Sequence, residues 1–432
     1  MNNYLSKILL ISILFTSHLY SKIQLIKKEN LDSNTTLLVI GGIHGDEPGG
    51  YFAASILATN YNITSKNLWI VPNLNKPSIQ RNLRGLYGDM NRKFSILQKK
   101  DKDSEIVEEI KEIILEKKVS LVLNLHDGHG FYRKENHGKI FNPNAWGQTC
   151  VIDQCDLSEN QPFGNLNHIA SQVKERMNKK LLKEHHSFDV RNTNTKFDDE
   201  AMQLSLTYFA VTNNKPAFAI ESSKNLSSLS QKVFYQLLAI EEFMNIMGIT
   251  YSRDFKLNEK NITKIIKNYG NLRINNNISL NLADIKKSLS FIPIKSKSNE
   301  FVFSHPLGSI RKVHSFYNVY IGNRKVTNLK PQYFKIAENY DEKFDVIVDG
   351  KLISLDNTSN IYVNDDFKVV KRDGYRVNII GFRSRKHKNE SGISIKLKDL
   401  NQNFSIDKSN KIYRVEFYNN DEFCFMTKVH FR

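Results

Sequence analysis

Two histidines and two glutamates stand where apolar runs end, and these residue types at such positions could do hydrolytic chemistry. His44 and Glu47 lie three residues apart in GGIHGDEPGG (41–50), directly after TLLVIG. His126 opens HDG after VSLVLNL (119–125), and Glu221 closes AFAIE (217–221). Two imidazoles and one carboxylate are the ligand set of a catalytic zinc that keeps a fourth position for water. A second carboxylate that stays off the ion can take the proton of that water. Between the motifs lies RNLRGLYGDMNRKF (81–94), rich in arginine. Arginine grips a carboxylate through two parallel hydrogen bonds, or stabilises a developing oxyanion.

These residues need elements that end at one edge. TLLVIG reads as a buried strand, and FAASILA after Glu47 reads as a helix. LWIVPNL around Val71 is a second strand. SEIVEEIKEIILEKK (104–118) has helical periodicity with Ser104 as its N-cap, and VSLVLNL is a third strand. AFAIE is a fourth, followed by the amphipathic stretch QKVFYQLLAIEEFMNIMG. Strands alternating with helices predict an α/β domain whose sheet is mainly parallel or mixed, with helices on both faces. In such sheets ligands gather beyond the carboxyl ends of the strands, so the four residues can converge. His129 and His137 lie close enough to His126 to be mistaken for ligands, and His185 and His186 have no partner at metal spacing; all four are expected at the surface.

After Ser252 the pattern changes to β. FDVIVDGKLISL (344–355) and FKVVKRDGYRVNIIGF (367–382) each place Asp-Gly between alternating apolar runs, which predicts two hairpins. YRVEFYNNDEFCFMTKV predicts a third. The expected division is a signal segment over residues 1–21, an α/β domain over 22–252, a β-rich domain over 253–338 and a β-sandwich-like domain over 339–432. Lys7 before the apolar run ILLISILF (8–15) has the form of a cleavable secretory signal. That run is shorter than the ~20 residues a membrane span needs, so no stable membrane span is expected.

A chain of 432 residues with 40% apolar and 25% charged residues is ordinary globular protein, which argues against long disorder. Three cysteines do not make a disulfide-rich scaffold, although Cys150 and Cys155 could close one small loop. The net charge is +17, and residues 251–432 carry 33 Lys and Arg against 19 Asp and Glu. For an exported chain that balance suits an anionic envelope polymer, and nucleic acid is not an expected partner.

HGDE (44–47), RGLYGDMNR (84–92), LHDG (125–128) and AIES (219–222) together resemble the motifs of M14 zinc carboxypeptidases. More narrowly, the opening GGIHGDEPGG, the signal segment and the trailing β domains resemble the peptidoglycan DL-carboxypeptidases that set cell shape in helical Epsilonproteobacteria. The resemblance implies one zinc ion per chain held by His44, Glu47 and His126, with Glu221 as general base. It implies that Arg84 polarises the scissile carbonyl and that Asn91 and Arg92 bind the substrate's terminal carboxylate. Trp146 and Arg191 are candidate pocket residues. Asp127 could orient a histidine or meet a substrate amine. The tyrosine that pancreatic-type enzymes carry shortly before the glutamate has no clear match; Tyr208 and Thr207 are candidates, with ordinary strand pairing expected for both. The implied substrate is a peptidoglycan stem peptide, with meso-diaminopimelate released from a muropeptide tripeptide in the periplasm. Two rivals stand beside it: an aspartoacylase-like zinc deacylase of N-acyl amino acids, which shares an H-G-x-E turn and a D-x-N-R segment, and a wall-binding protein without turnover.

Overall fold

A seven-stranded sheet organises the first part of this computed structural model, which describes residues 23–432 except 31, 96, 98, 99, 159, 339 and 384–387. The expected signal segment, residues 1–21, lies outside the described residues. The strands are β1 (Ile26–Lys28), β2 (Thr36–Gly41), β3 (Asn67–Val71), β4 (Val119–Gly128), β5 (Thr149–Ile152), β6 (Asp189–Asn192) and β7 (Ala217–Ser223). Their order is β1-β3-β2-β4-β7-β5-β6, and β3, β2, β4 and β7 run parallel. These central strands are near-continuous Val, Ile and Leu because helices cover both faces of the sheet.

Those helices are α1 (Pro48–Asn60), α2 (Ser104–Leu115), α3 (Leu166–Asn178), α4 (Leu206–Thr212), α5 (Leu229–Met247) and α6 (Glu259–Lys267). Helix α1 starts on Pro48, whose fixed φ suits the first helical position, and is buried over residues 49–57. Helix α2 turns Val107, Ile110 and Ile114 inward. Its N-cap position is held by Asp103, one residue before the expected Ser104. Ser228 caps α5 by accepting from the Gln231 amide, and Gly248 ends that helix in the left-handed region.

The middle region is β throughout: β8 (Asn271–Ile274), β9 (Ile278–Asn281), β10 (Ser288–Ile294), β11 (Phe301–Phe303), β12 (Gly308–Val313), β13 (Phe316–Ile321) and β14 (Arg324–Tyr333). They form sheets of order β9-β8-β11 and β10-β14-β13-β12. Their inner residues, among them Leu272, Ile292 and Val319, join one core with Leu37 and Phe243 of the first sheet and its helices. The expected boundary after residue 252 falls inside the strand Tyr251–Arg253, which pairs with Tyr61–Ile63, and α6 beyond it packs on α5.

The last region has a core of its own between two sheets. It contains β15 (Lys335–Ile336), β16 (Phe344–Val348), β17 (Lys351–Leu355), β18 (Asn360–Val363), β19 (Asp366–Val369), β20 (Tyr375–Ile379), β21 (Ile395–Lys396), β22 (Ile412–Asn419) and β23 (Glu422–Phe431). One sheet runs β15-β23-β22-β20 with β18 also on β23, and the other runs β17-β16-β19-β21. Hairpins β16/β17 and β22/β23 form as expected. The pair expected around Asp373-Gly374 does not: β19 pairs with β16 and β21, whereas β20 pairs with β22. The segment between β19 and β20 therefore crosses from one sheet to the other.

Candidate active site

Every strand that carries a candidate ligand ends at the same edge. After β2 the chain turns through residues 42–46 and enters α1, and the turn is tight against its surroundings. A Cβ on Gly45 would lie 2.2 Å from the Ser78 carbonyl carbon, so only glycine lets the turn sit there. His44 and Glu47 are thereby fixed beside His126 at the end of β4. His44 Nδ1 lies 3.0 Å from Glu47 Oε1, and His126 Nδ1 lies 2.9 Å from Glu47 Oε2. One ligand atom from each of the three falls within 4.8 Å of the others, and all three residues are buried.

The donor set passes a test of fit for a metal. His44 Nδ1 is buried without a hydrogen-bond partner, despite its closeness to Glu47, because the alignment is wrong for a hydrogen bond. The other ring nitrogen, Nε2, lies 2.8 Å from Asp89 Oδ1. A histidine with one nitrogen held by a carboxylate and the other left without a hydrogen bond, beside a second carboxylate and a second imidazole, suits a metal ligand. Glu47 is held well below the usual carboxylate range, because the adjacent His44 and His126 outweigh its burial.

Glu221 sits in register with His126 on the neighbouring strand β7. Burial, reinforced by the Glu47 charge, pushes it well above the usual carboxylate range. Arg84 reaches the trio from the opposite loop: NH1 donates to Glu47 Oε1 at 3.1 Å and Nε to Asp89 Oδ2 at 2.9 Å. Asn91 is buried, and its Oδ1 accepts the Leu206 amide at 3.0 Å, tying the arginine loop to α4. Arg92 donates to the Asn91 carbonyl at 2.9 Å. Arg191 stacks 3.9 Å over Trp146 and donates to the Ala145 carbonyl at 2.7 Å.

Four residues sit otherwise than expected. Asp127 is buried, and its Oδ2 accepts the Gly49 amide at the start of α1 at 2.8 Å while Ser222 Oγ donates to its Oδ1. The carboxylate that holds a histidine is Asp89 instead. Thr207 and Tyr208 lie in the first turn of α4, not in a strand, and the Thr207 hydroxyl is engaged by Ser205 and Asp153. His186 is buried, its Nδ1 2.9 Å from the Tyr235 hydroxyl and its ring stacked on Phe131; the Phe131, His185 and Tyr235 rings surround a residue that has no local apolar signal. His129, His137 and His185 are exposed. Cys150 and Cys155 are both free, the first buried in β5 and the second exposed.

Two residues near the trio went unread in the sequence. Lys224 Nζ lies 3.1 Å from Asp46 Oδ2 and 3.7 Å from Glu47 Oε1. Its signal was its place three residues after Glu221, at the same strand end. Asp89 had a signal in the D-x-N-R segment.

The model of the family described as "Carboxypeptidase controlling helical cell shape catalytic" matches residues 5–267, and that described as "C-terminal domain of metallo-carboxypeptidase" matches residues 337–432. No curated protein sequence matches the chain. Among solved structures, the apo cell shape determinant protein Csd4 of Helicobacter pylori is 34% identical, with a TM-score of 0.90 over 95% of this chain and 100% of that one. Its tripeptide-bound form is similar to the chain at 34% identity and a TM-score of 0.89, over the same shares. An mDAP-bound form, described as a D,L-carboxypeptidase, is 35% identical with a TM-score of 0.90, over 94% of this chain and 100% of that one.

Proposed function

The chain belongs to the family of metallo-carboxypeptidases that control helical cell shape, and from that membership we propose that it is a zinc-dependent D,L-carboxypeptidase of peptidoglycan stem peptides. It would trim a muropeptide tripeptide to a dipeptide, hydrolysing the bond from the γ-carboxyl of D-Glu to the L-centre of meso-diaminopimelate. One observation carries this reading: the buried His44–Glu47–His126 trio with Glu221 beside it, in a chain matched along its length by a D,L-carboxypeptidase crystallised with tripeptide.

Two imidazoles and a carboxylate suit zinc, which when bound supplies a Lewis acid and acidifies water. Glu221 would take a proton from the attacking water on a carboxylate oxygen and pass it to the leaving amine. Arg84 NH1 would donate to the scissile carbonyl oxygen as charge gathers there. Asn91 and Arg92 would hold the terminal carboxylate; with Asn91 Oδ1 taken by the Leu206 amide, Nδ2 is the end suited to donate. Trp146 and Arg191 would form a wall of the same space. Arg92, Arg191 and Lys224 would supply cationic partners to a substrate carrying several free carboxylates.

Export to the periplasm is supported by Lys7 and the apolar run after it, and no helix among the described residues is long and apolar enough to cross a membrane. The test is a muropeptide profile of peptidoglycan digests with and without the purified enzyme. Conversion of tripeptide to dipeptide, abolished by chelator and restored by zinc, is the expected result. An unchanged tripeptide pool with the zinc-loaded enzyme would reject the reading.

A further inference from the structure

The turn between β13 and β14 leaves its own sheet and lands on the catalytic domain. Gly322 in that turn has φ of +58°, and a Cβ there would lie 3.0 Å from Tyr51 Cε2 and 3.3 Å from Phe52 Cε2. Only glycine can adopt that backbone so close to two rings. The Arg324 guanidinium sits 5.2 Å over Phe52. Tyr51 and Phe52 belong to α1, whose N-terminus follows directly on the ligand Glu47.

Between these anchors, Asn323 Nδ2 donates to Asn82 Oδ1 at 2.9 Å. Asn82 has φ of +52° and closes a turn in which its amide donates to the Ile79 carbonyl and that of Leu83 to the Ser78 carbonyl. Arg84 follows two residues later. The middle region touches the same stretch twice more, through the Pro306 carbonyl on Asn73 Nδ2 at 3.1 Å and the Ile310 carbonyl on Gln80 Nε2 at 3.4 Å. Residues 81–84 are exposed and have little apolar anchorage. Their position therefore depends on polar ties, and a tie to a rigid sheet removes freedom that the loop would otherwise retain.

We propose that the β13–β14 turn is part of the active-site frame, and that Asn323 is a positioning residue which sets the Arg84 loop through Asn82. This rests on the reading of Arg84 as the donor to the scissile carbonyl. It assigns the middle region a catalytic task although it carries none of the reacting groups. A carbonyl donor displaced by a fraction of an ångström loses transition-state stabilisation and leaves ground-state binding largely intact.

The test uses full-length, zinc-loaded enzyme and the muropeptide tripeptide, with kcat, KM, zinc content and Tm measured for each variant. Asn323→Ala should lower kcat by about tenfold, the scale of one lost positioning hydrogen bond, with KM, zinc content and Tm near wild type. Asn323→Asp, which lacks the donor, should behave like the alanine variant. Asn82→Asp, which keeps the acceptor and tolerates the left-handed backbone, should behave like wild type. Asn82→Gly should match Asn323→Ala, and combining the two should cost no more than either alone. In an Arg84→Ala background, Asn323→Ala should have no further effect. Wild-type kcat in Asn323→Ala, additive losses in the double variant, or an undiminished effect without Arg84 would each overturn the proposal. If Arg84→Ala alone leaves kcat unchanged, the role of Arg84 falls and the route through Asn82 falls with it. Lost tripeptide turnover in the wild type would instead reject the substrate reading.

Discussion

Asp89 meets His44 on the ring edge opposite the nitrogen that faces Glu47. A carboxylate so placed fixes the ring and raises its basicity, and replacing one typically costs about 10–100-fold in metal affinity. Asp89→Ala should therefore bind zinc about 10–100-fold more weakly in competition with a chromophoric chelator; unchanged affinity would deny it this task. Glu221→Ala should behave oppositely. It should keep its zinc and lose about 10²–10⁴ in turnover if, as proposed, it moves a proton and does not ligate; near wild-type turnover would place the base elsewhere. The candidate ligands were legible because each ends an apolar strand, a position that local pattern reveals. Asp89 and Lys224 were not, because what gives each its meaning is a contact with a residue 45 or more positions away. Asp127 misled for the same reason. Its neighbour in sequence is a candidate ligand, yet its carboxylate serves the amide of Gly49.

At the scale of elements, the central strands β2, β3, β4 and β7 and the helices α1, α2 and α5 were read as they stand, since periodicity and burial agree there, whereas β1, β5, β6, α3, α4 and α6 were not read. The exchange of partners at β19 and β20 was not legible. Alternating apolar residues around Asp-Gly suit a hairpin, and they suit equally two strands that face each other across a sandwich. The short segment around His186 was also beyond the pattern, because its burial comes from α5, Gln148 and the loop near Phe131 together. Burial pushes the His186 imidazole down to about 4, with the nearby His185 and Lys183 charges adding to the effect. In the unfolded chain the same ring protonates near its ordinary value of 6.5. The stability it contributes is therefore full above about pH 6.5 and is lost as pH falls toward about 4. The expected result is a Tm that drops between pH 7 and pH 5, and drops less in His186→Gln. Equal pH dependence in the two proteins would show that another group is responsible.

Across the whole molecule, the α/β domain and the middle β region are not separable along the expected line. Ile262 and Ile266 of α6 are buried in the core that contains the first sheet, and Leu272, Ile292 and Val319 continue it. The last region adds Tyr418, Phe423 and Met426 to that same core, while keeping a second one for itself. Burying each large aliphatic side chain is worth about 1.5–3 kcal/mol, so losing Ile262 and Ile266 alone removes a large part of the ~5–15 kcal/mol that holds a domain folded. A fragment of residues 22–252 should therefore aggregate, as judged by size-exclusion chromatography after refolding. A soluble monomer with cooperative thermal unfolding would contradict the shared core.

Strand β23 pairs with β22 beside it, and also with β15 through Ile336 and Phe423 and with β18 through Asn360 and Lys428. The two earlier strands must wait, with open edges, for a partner that emerges far later from the ribosome. Closing such long loops before any ladder forms makes folding slow, and the waiting edges are prone to pair with the wrong chain. If the chain is exported as proposed, passing through a narrow pore before it folds, the same delay is an advantage: the last sandwich would stay threadable until β23 arrives.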